Sequence, residues 1–231
     1  MIKKLILDID DTLFDFQKSE RCALIKTLES LGISASDDVV SLYHKINRSQ
    51  WEALERGELE RAELLTRRFD ILFSHLGVFA SSKETQSRYE RCLGAEVHFI
   101  DGAEELLREL YGKYELYIAS NGTAVVQDPR IEKSKISRYF DGIFISERVG
   151  YNKPDVRFFD ACLAAMGAND RGEVMIFGDS LTSDILGGIN AGIKTCWYNP
   201  GGKKNDTGYS PDFEVSSLDE FPKILEKVNK D

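Results

Sequence analysis

Apolar residues in this chain recur with two different rhythms, and the change from one to the other divides it. Leu5, Ile6 and Leu7, with Ile9 beyond, form a short continuous apolar run that stops in turn-forming residues. That is the pattern of a strand buried on both faces of a parallel sheet. From Ser19 to about Gly94 the period is helical. Ala23, Leu24, Leu28 and Leu31 repeat at three- and four-residue steps up to Gly32, and Val39, Leu42, Ile46 and Leu54 repeat over positions 37–56. Leu64, Leu65, Phe69, Leu72, Phe73 and Leu76 make a third helix ending at Gly77, and Ser81 to Glu84 has capping-box spacing for a fourth. Four helices with no strand between them predict an all-helical module. Its aromatics Tyr43, Trp51, Phe69, Phe73 and Tyr89 are expected first as packing between those helices.

Beyond Phe99 short apolar strands alternate with helices. Strands are expected at 114–119, 142–146, 173–177, 194–198 and about 213–215, separated by helices that carry Leu106, Leu107 and Leu110, then Val125, Ile131 and Ile136, then Phe158, Phe159 and Leu163. Alternation of this kind means parallel βαβ units. The expected fold is therefore α/β: a doubly wound, mostly parallel sheet formed by 1–15 and 99–231, with an all-helical cap, 16–98, inserted after the first strand. Two chain crossings at that point suit a hinged lid.

Composition narrows the partners. The 231 residues carry a net charge of −9 and no long basic run, a surface that repels a nucleic-acid polymer. No stretch approaches the ~20 apolar residues of a membrane span. Four scattered cysteines, without paired spacing, read as reduced thiols. Met1 leads straight into the first strand, so the expectation is a cytoplasmic protein with no leader. A monomer or weak dimer is expected.

The candidate chemistry lies where strands end. Asp8, Asp10 and Asp11 follow the first strand, and residues two apart in extended chain share a face. Asp8 and Asp10 then repel unless one is protonated or a cation lies between them. Ser120 and Asn121 end the next strand, Asp179 ends a later one, and Asp184 opens the helix after it. Ligands of open parallel sheets sit outside the carboxyl ends of strands. Hard carboxylate oxygens suit Mg²⁺, Lys153 adds a positive charge for a phosphoryl group, and Ser120 with the amides near Asn121 and Gly122 can bind its remaining oxygens. His44, His75 and His98 fall in or beside the helical module, so neither histidine catalysis nor a zinc cluster is expected.

In order, Asp8-Ile-Asp-Asp-Thr-Leu13, Ser120-Asn121-Gly122, Lys153-Pro154-Asp155 and Gly178-Asp179-Ser180 with Asp184 resemble the four signatures of the haloacid dehalogenase superfamily. The resemblance covers the whole chain, the cap included. It implies Asp8 as nucleophile and Asp10 as general acid and base. It implies Thr12 supporting the Asp8 loop and, with Ser120, Asn121 and Lys153, surrounding the phosphoryl group. Mg²⁺ would be held by Asp8, the Asp10 carbonyl, Asp179 and Asp184. Most relatives carry Gly where this chain has Asp11. The sequence Asp-Asp-Thr-Leu followed by Phe14-Asp15-Phe16 resembles the branch of pyrimidine 5′-nucleotidases of the YjjG type, and so implies nucleoside 5′-monophosphates as substrates. Alternatives are a sugar-phosphate or phosphoglycolate phosphatase, a dehalogenase, or a silent relative that only binds a ligand. Asp10 argues against a dehalogenase, because a halide leaves without protonation. Phe14, Phe16, Tyr43, Asn47 and Trp51 are the candidates for contacting a base or sugar, and the expected partner is a small phosphorylated metabolite.

Overall fold

The computed structural model describes residues 1–230, which pack as two compact units. One comprises 1–15, 99–124 and the chain from Ser134 onward; the other comprises Phe16–His98 and Val125–Lys133.

The helical unit holds α1 (Phe16–Glu29), α2 (Asp37–Glu55), α3 (Arg61–Leu76) and α4 (Ser82–Gly94). The starts and stops follow from local chemistry. Ser36 accepts from the Val39 amide and Ser81 from the Glu84 amide, while Gly77 closes α3 in the left-handed region. Its core is Leu24, Leu28, Tyr43, Phe69, Leu72 and Tyr89. Tyr43 stacks on Phe69 at 5.2 Å and meets Tyr89 edge-on at 5.6 Å, so Tyr43, Phe69, Phe73 and Tyr89 serve the packing first expected of them, and Trp51 stands outside that core.

One expectation is corrected here. Residues 125–133 were grouped with the sheet, yet they pack with the helical unit. Val126 enters the helical core, Pro129 lies against Gly94, and the buried Arg130 donates to the Glu96 carbonyl. Sequence separation hid this, because the segment follows a strand of the other unit. His98 lies beside Cys22 and Glu96. The chain leaving α4 returns alongside α1, and the helical period of the sequence does not reveal that return.

The α/β unit has six strands: β1 (Lys4–Leu7), β2 (Glu115–Ser120), β3 (Gly142–Ile145), β4 (Val174–Gly178), β5 (Lys194–Tyr198) and β6 (Phe213–Val215). They lie in the order β3-β2-β1-β4-β5-β6, every pair parallel. Parallel neighbours require crossovers, and the connections contain α5 (Ala103–Leu110), α6 (Ala124–Ser134), α7 (Ser146–Val149), α8 (Val156–Ala165) and α9 (Leu186–Ala191), with α10 (Phe221–Lys230) closing the chain. Leu5, Ile6 and Leu7 are fully enclosed, as a central strand covered on both faces must be. Leu7 stands level with Ile118 and Phe177, so β1, β2 and β4 all end at one rim. Chain order reverses on either side of β1, which makes its carboxyl end the switch point of the sheet. Among the described residues no helix is long and apolar enough to cross a membrane.

Candidate active site

Past Leu7 the chain keeps one more sheet bond, Asp8 N–H to the Phe177 carbonyl, and then turns tightly. Leu13 and Phe14 both donate to the Ile9 carbonyl, and the Asp11 amide donates to Phe14. The turn requires a left-handed residue, and Asp11 supplies it at φ 58°. Asp and Asn adopt that conformation more readily than other side chains, and Gly adopts it freely. Asp8 is buried, and both its oxygens are held: Thr12 Oγ1 donates to Oδ2 at 3.0 Å and Lys153 Nζ to Oδ1 at 2.7 Å. Asp10 stands half-buried on the same turn.

Lys153 is delivered by a different mechanism. Its side chain is almost wholly buried, and its ammonium is shared by Asp8, Asp184 Oδ1 at 2.7 Å and the Ala119 carbonyl at 2.8 Å. Asn121 clasps the lysine backbone from both sides, donating from Nδ2 to the carbonyl and accepting from the amide, each at 2.9 Å. Asn121, expected as a phosphate contact, thus first sets the height of Lys153. The residue after the cis proline, Asp155, caps α8 by accepting from Arg157 N–H. The helix therefore opens at Val156 and not at Pro154.

Beyond β4 the backbone makes a π-turn, Leu181–Ile185, a rare geometry that recurs at functional sites. It brings Asp184 back over the strand end, where its Oδ2 accepts from Ser180 N–H at 3.1 Å. A Cβ on Gly178 would stand 2.3 Å from that oxygen. Only glycine lets the Asp184 carboxylate approach so closely. Trp197 Nε1 donates to the Asp179 carbonyl at 2.8 Å and fixes the loop from the neighbouring strand. Gly178 and Trp197 were missed as site residues. A glycine before a strand-end acid was the available signal for the first, and no sequence signal marks the second.

Carboxylate oxygens of Asp8, Asp179 and Asp184 all lie within 4.8 Å of one another. Lys153 is the cation shared by Asp8 and Asp184. Burial pushes the Asp8 carboxyl up to about 7; Lys153 opposes the shift and Asp184 adds to it. Burial, then Asp8, Asp11 and Asp184, raise Asp179 well above the usual carboxylate range. Burial works against the Lys153 ammonium, but Asp184 and Asp8 outweigh it and hold the charge firmly. Three hard-oxygen donors and an excess of negative charge fit a divalent cation such as Mg²⁺. Ser120 is buried and accepts from Gly122 N–H at 3.0 Å, while the first amide of α6 donates to Glu147 at 2.7 Å.

Of the proposed specificity residues, two are enclosed side chains of the interior. Phe14 has no exposed surface and packs edge-on to Phe99 at 5.1 Å, and Tyr43 lies inside the aromatic stack. Asn47 is buried as well, bridging Glu20 and Arg68. These three are corrected to packing and bridging roles, because their faces are already occupied. Phe16 and Trp51 stay partly accessible, Trp51 under the Arg61 guanidinium at 5.7 Å.

Residues 5–198 match the haloacid dehalogenase-like hydrolase family. The chain is 35% identical to the pyrimidine 5′-nucleotidase PynA of Streptococcus pneumoniae, covering 97% of this chain and 95% of that one. It is 33% identical to the pyrimidine 5′-nucleotidase YjjG of Escherichia coli, covering 96% of each. The crystal structure of YfnB from Bacillus subtilis bound to magnesium superposes with a TM-score of 0.93 at 35% identity, over 97% of this chain and 98% of that one.

Proposed function

The chain belongs to the haloacid dehalogenase-like hydrolases, and from that membership we propose a magnesium-dependent phosphomonoesterase that works through an aspartyl-phosphate on pyrimidine nucleoside 5′-monophosphates. The observation that carries the reading is the Asp8 carboxylate, held at one oxygen by Lys153 and at the other by Thr12, with Asp10 two residues on. A carboxylate so fixed is placed for attack rather than for solvent.

An Asp8 oxygen attacks phosphorus, and the bond from phosphorus to the ester oxygen breaks. Asp10 passes its proton to the departing alkoxide. A water then attacks the acyl phosphate, Asp10 takes a proton from that water, and phosphate leaves with Asp8 restored. Lys153 neutralises a phosphoryl oxygen, and Ser120 binds another through its hydroxyl. Asp8, Asp179, Asp184 and the Asp10 carbonyl would hold Mg²⁺, which when bound lessens the charge on the phosphoryl oxygens. Asp10 also separates this chemistry from dehalogenation, which needs no acid for its leaving group.

The pyrimidine preference rests on PynA and YjjG, two relatives similar along nearly the whole chain. The helical unit is the proposed source of substrate selection, with Phe16 and Trp51 the candidates that stay partly accessible. Phosphate release from uridine, cytidine, adenosine and guanosine 5′-monophosphates, alongside sugar phosphates, tests the assignment with Mg²⁺ and with a chelator. Pyrimidine nucleotides are expected to turn over fastest, and only with the metal. Absence of release from every ester would overturn the reading, and a preference for sugar phosphates would overturn its substrate.

A further inference from the structure

A second group of metal-ligand side chains lies entirely within the helical unit. Cys22 comes from α1, and Glu96 and His98 come from the segment that leaves α4. The Cys22 sulfur, a Glu96 oxygen and a His98 ring nitrogen lie within 4.8 Å of one another. His98 Nε2 already stands 3.0 Å from Glu96 Oε2. Bond lengths of about 2.0 Å to nitrogen and oxygen and about 2.3 Å to sulfur set tetrahedral ligand separations near 3.3–3.7 Å. Closing the group on an ion therefore requires its atoms to approach by at most roughly 1.5 Å from their present geometry.

We propose that Cys22, Glu96 and His98 form a zinc site that is separate from the acidic site at the sheet rim. The donor types decide the metal. Thiolate, imidazole and a single carboxylate select Zn²⁺ and its surrogate Co²⁺ over Mg²⁺, whereas the all-oxygen set of Asp8, Asp179 and Asp184 selects the harder ion. Glu96 is the buried member, 8% exposed, and its other oxygen is engaged by Lys26. That division leaves Oε2 facing His98, so the carboxylate binds through one oxygen while Lys26 holds the other. Lys26 stands one helical turn beyond Cys22 and its side chain is more than half exposed, so its ion pair is a weak competitor for the metal. Cys22 and His98 are half-buried, which gives an ion access from solvent and room for a water as fourth ligand. Occupancy ties α1 to the segment that follows α4. The inference does not depend on the phosphatase reading, since none of its residues belongs to the acidic cluster.

Cobalt supplies the test. The reduced, chelator-stripped protein is saturated with Mg²⁺ and titrated with Co²⁺. A Co²⁺ ion at the oxygen-only site has no thiolate neighbour, so a sulfur-to-cobalt charge-transfer band reports the second site alone. One equivalent of Co²⁺ is expected to produce that band, with tetrahedral visible bands beside it, and Zn²⁺ is expected to erase both. Cys22→Ser is expected to abolish the charge-transfer band, and His98→Ala to weaken Co²⁺ binding by at least about tenfold. Absence of the band in the parent protein, or its persistence in Cys22→Ser, overturns the site. Should a variant fail to fold, alkylation of the parent protein decides. Zn²⁺ is expected to slow modification of Cys22 by iodoacetamide, read by peptide mass, and an unchanged rate refutes the proposal.

Discussion

Each unit of the molecule buries charge, and the two do so on opposite terms. In the helical unit Glu20 and Arg68 are both enclosed, and Asn47 links them by donating to Glu20 at 2.6 Å and accepting from Arg68 at 2.6 Å. Gln86 takes the other arm of Arg68 at 2.7 Å, and His44 pairs with the second Glu20 oxygen at 2.6 Å. One acid is matched by one guanidinium, joined through Asn47. At the sheet rim the carboxylates of Asp8, Asp179 and Asp184 crowd together, and the buried ammonium of Lys153 bonds Asp8 and Asp184. A closed, neutral network specifies packing, whereas an open, overcharged one holds free energy that a cation or a substrate can release. Burial of charge alone does not mark a functional site; imbalance does.

The largest effects are expected where the imbalance is used. Asp8→Asn removes the nucleophile and a metal ligand, and turnover of any ester should fall by at least about 10⁴-fold with the circular dichroism spectrum unchanged. Normal activity in that variant would place the nucleophile elsewhere. Asp10→Asn removes only the proton carrier, so a natural nucleotide should lose roughly 10²- to 10⁴-fold in kcat. p-Nitrophenyl phosphate, whose leaving group needs little protonation, should lose much less. Equal losses on the two substrates would deny Asp10 its role as the acid.

How much of that contrast could be read before the fold was known depends on the length scale of each signal. The acids announce themselves, because Asp8 and Asp10 fall at the end of an apolar run and Asp179 at the end of another, and strand ends of a parallel sheet converge. The strand periods at 194–198 and 213–215 are recovered residue for residue. What stayed hidden is carried by backbone geometry and long-range return of the chain. Asn121 looks like a phosphate donor until its two bonds to the Lys153 backbone are seen. The π-turn that folds Asp184 onto Gly178 has no hydrophobic period to betray it. Arg130, a charged residue in a helix, offers no hint that it is fully buried against the segment leaving α4.

Intermediate effects test the balanced network against the open one. Arg68→Met takes the donor from Asn47 and Gln86 and the guanidinium charge from the network that holds buried Glu20, and urea unfolding should show a loss of about 3–5 kcal/mol. Asp179→Asn should do the reverse in chelated protein, gaining about 1–2 kcal/mol while losing the response to Mg²⁺, because burial and the neighbouring Asp8, Asp11 and Asp184 all work against an ionised carboxylate there. A loss of stability in Asp179→Asn would mean that the acids are paired in the apo protein after all. The same imbalance makes the apo protein pH-dependent. Asp8 and Asp179 have folded pKa values above the unfolded carboxylate value, so the folded state binds more protons and stability falls as pH rises from about 4 through 7. Magnesium competes with those protons, and its addition should raise the melting temperature more at pH 8 than at pH 5. An equal rise at both values would detach the metal from these carboxylates.

The smallest expected effect isolates charge from conformation at one residue. Asp11 adds to the negative field on Asp179 and also holds the left-handed corner of the Asp8 turn at φ 58°. Asp11→Gly removes the charge and keeps the corner, since glycine adopts that conformation without strain. Stability should change by no more than about 0.5 kcal/mol, with kcat within about threefold of the parent. Asp11→Val removes the same charge but forces a β-branched residue into the left-handed region, at a cost of about 1–3 kcal/mol and with a displaced Asp8. If the corner rather than the charge governs the site, only the valine variant loses activity. If both variants lose activity alike, the Asp11 carboxylate takes part in the chemistry, and the overcharged cluster has a fourth working member.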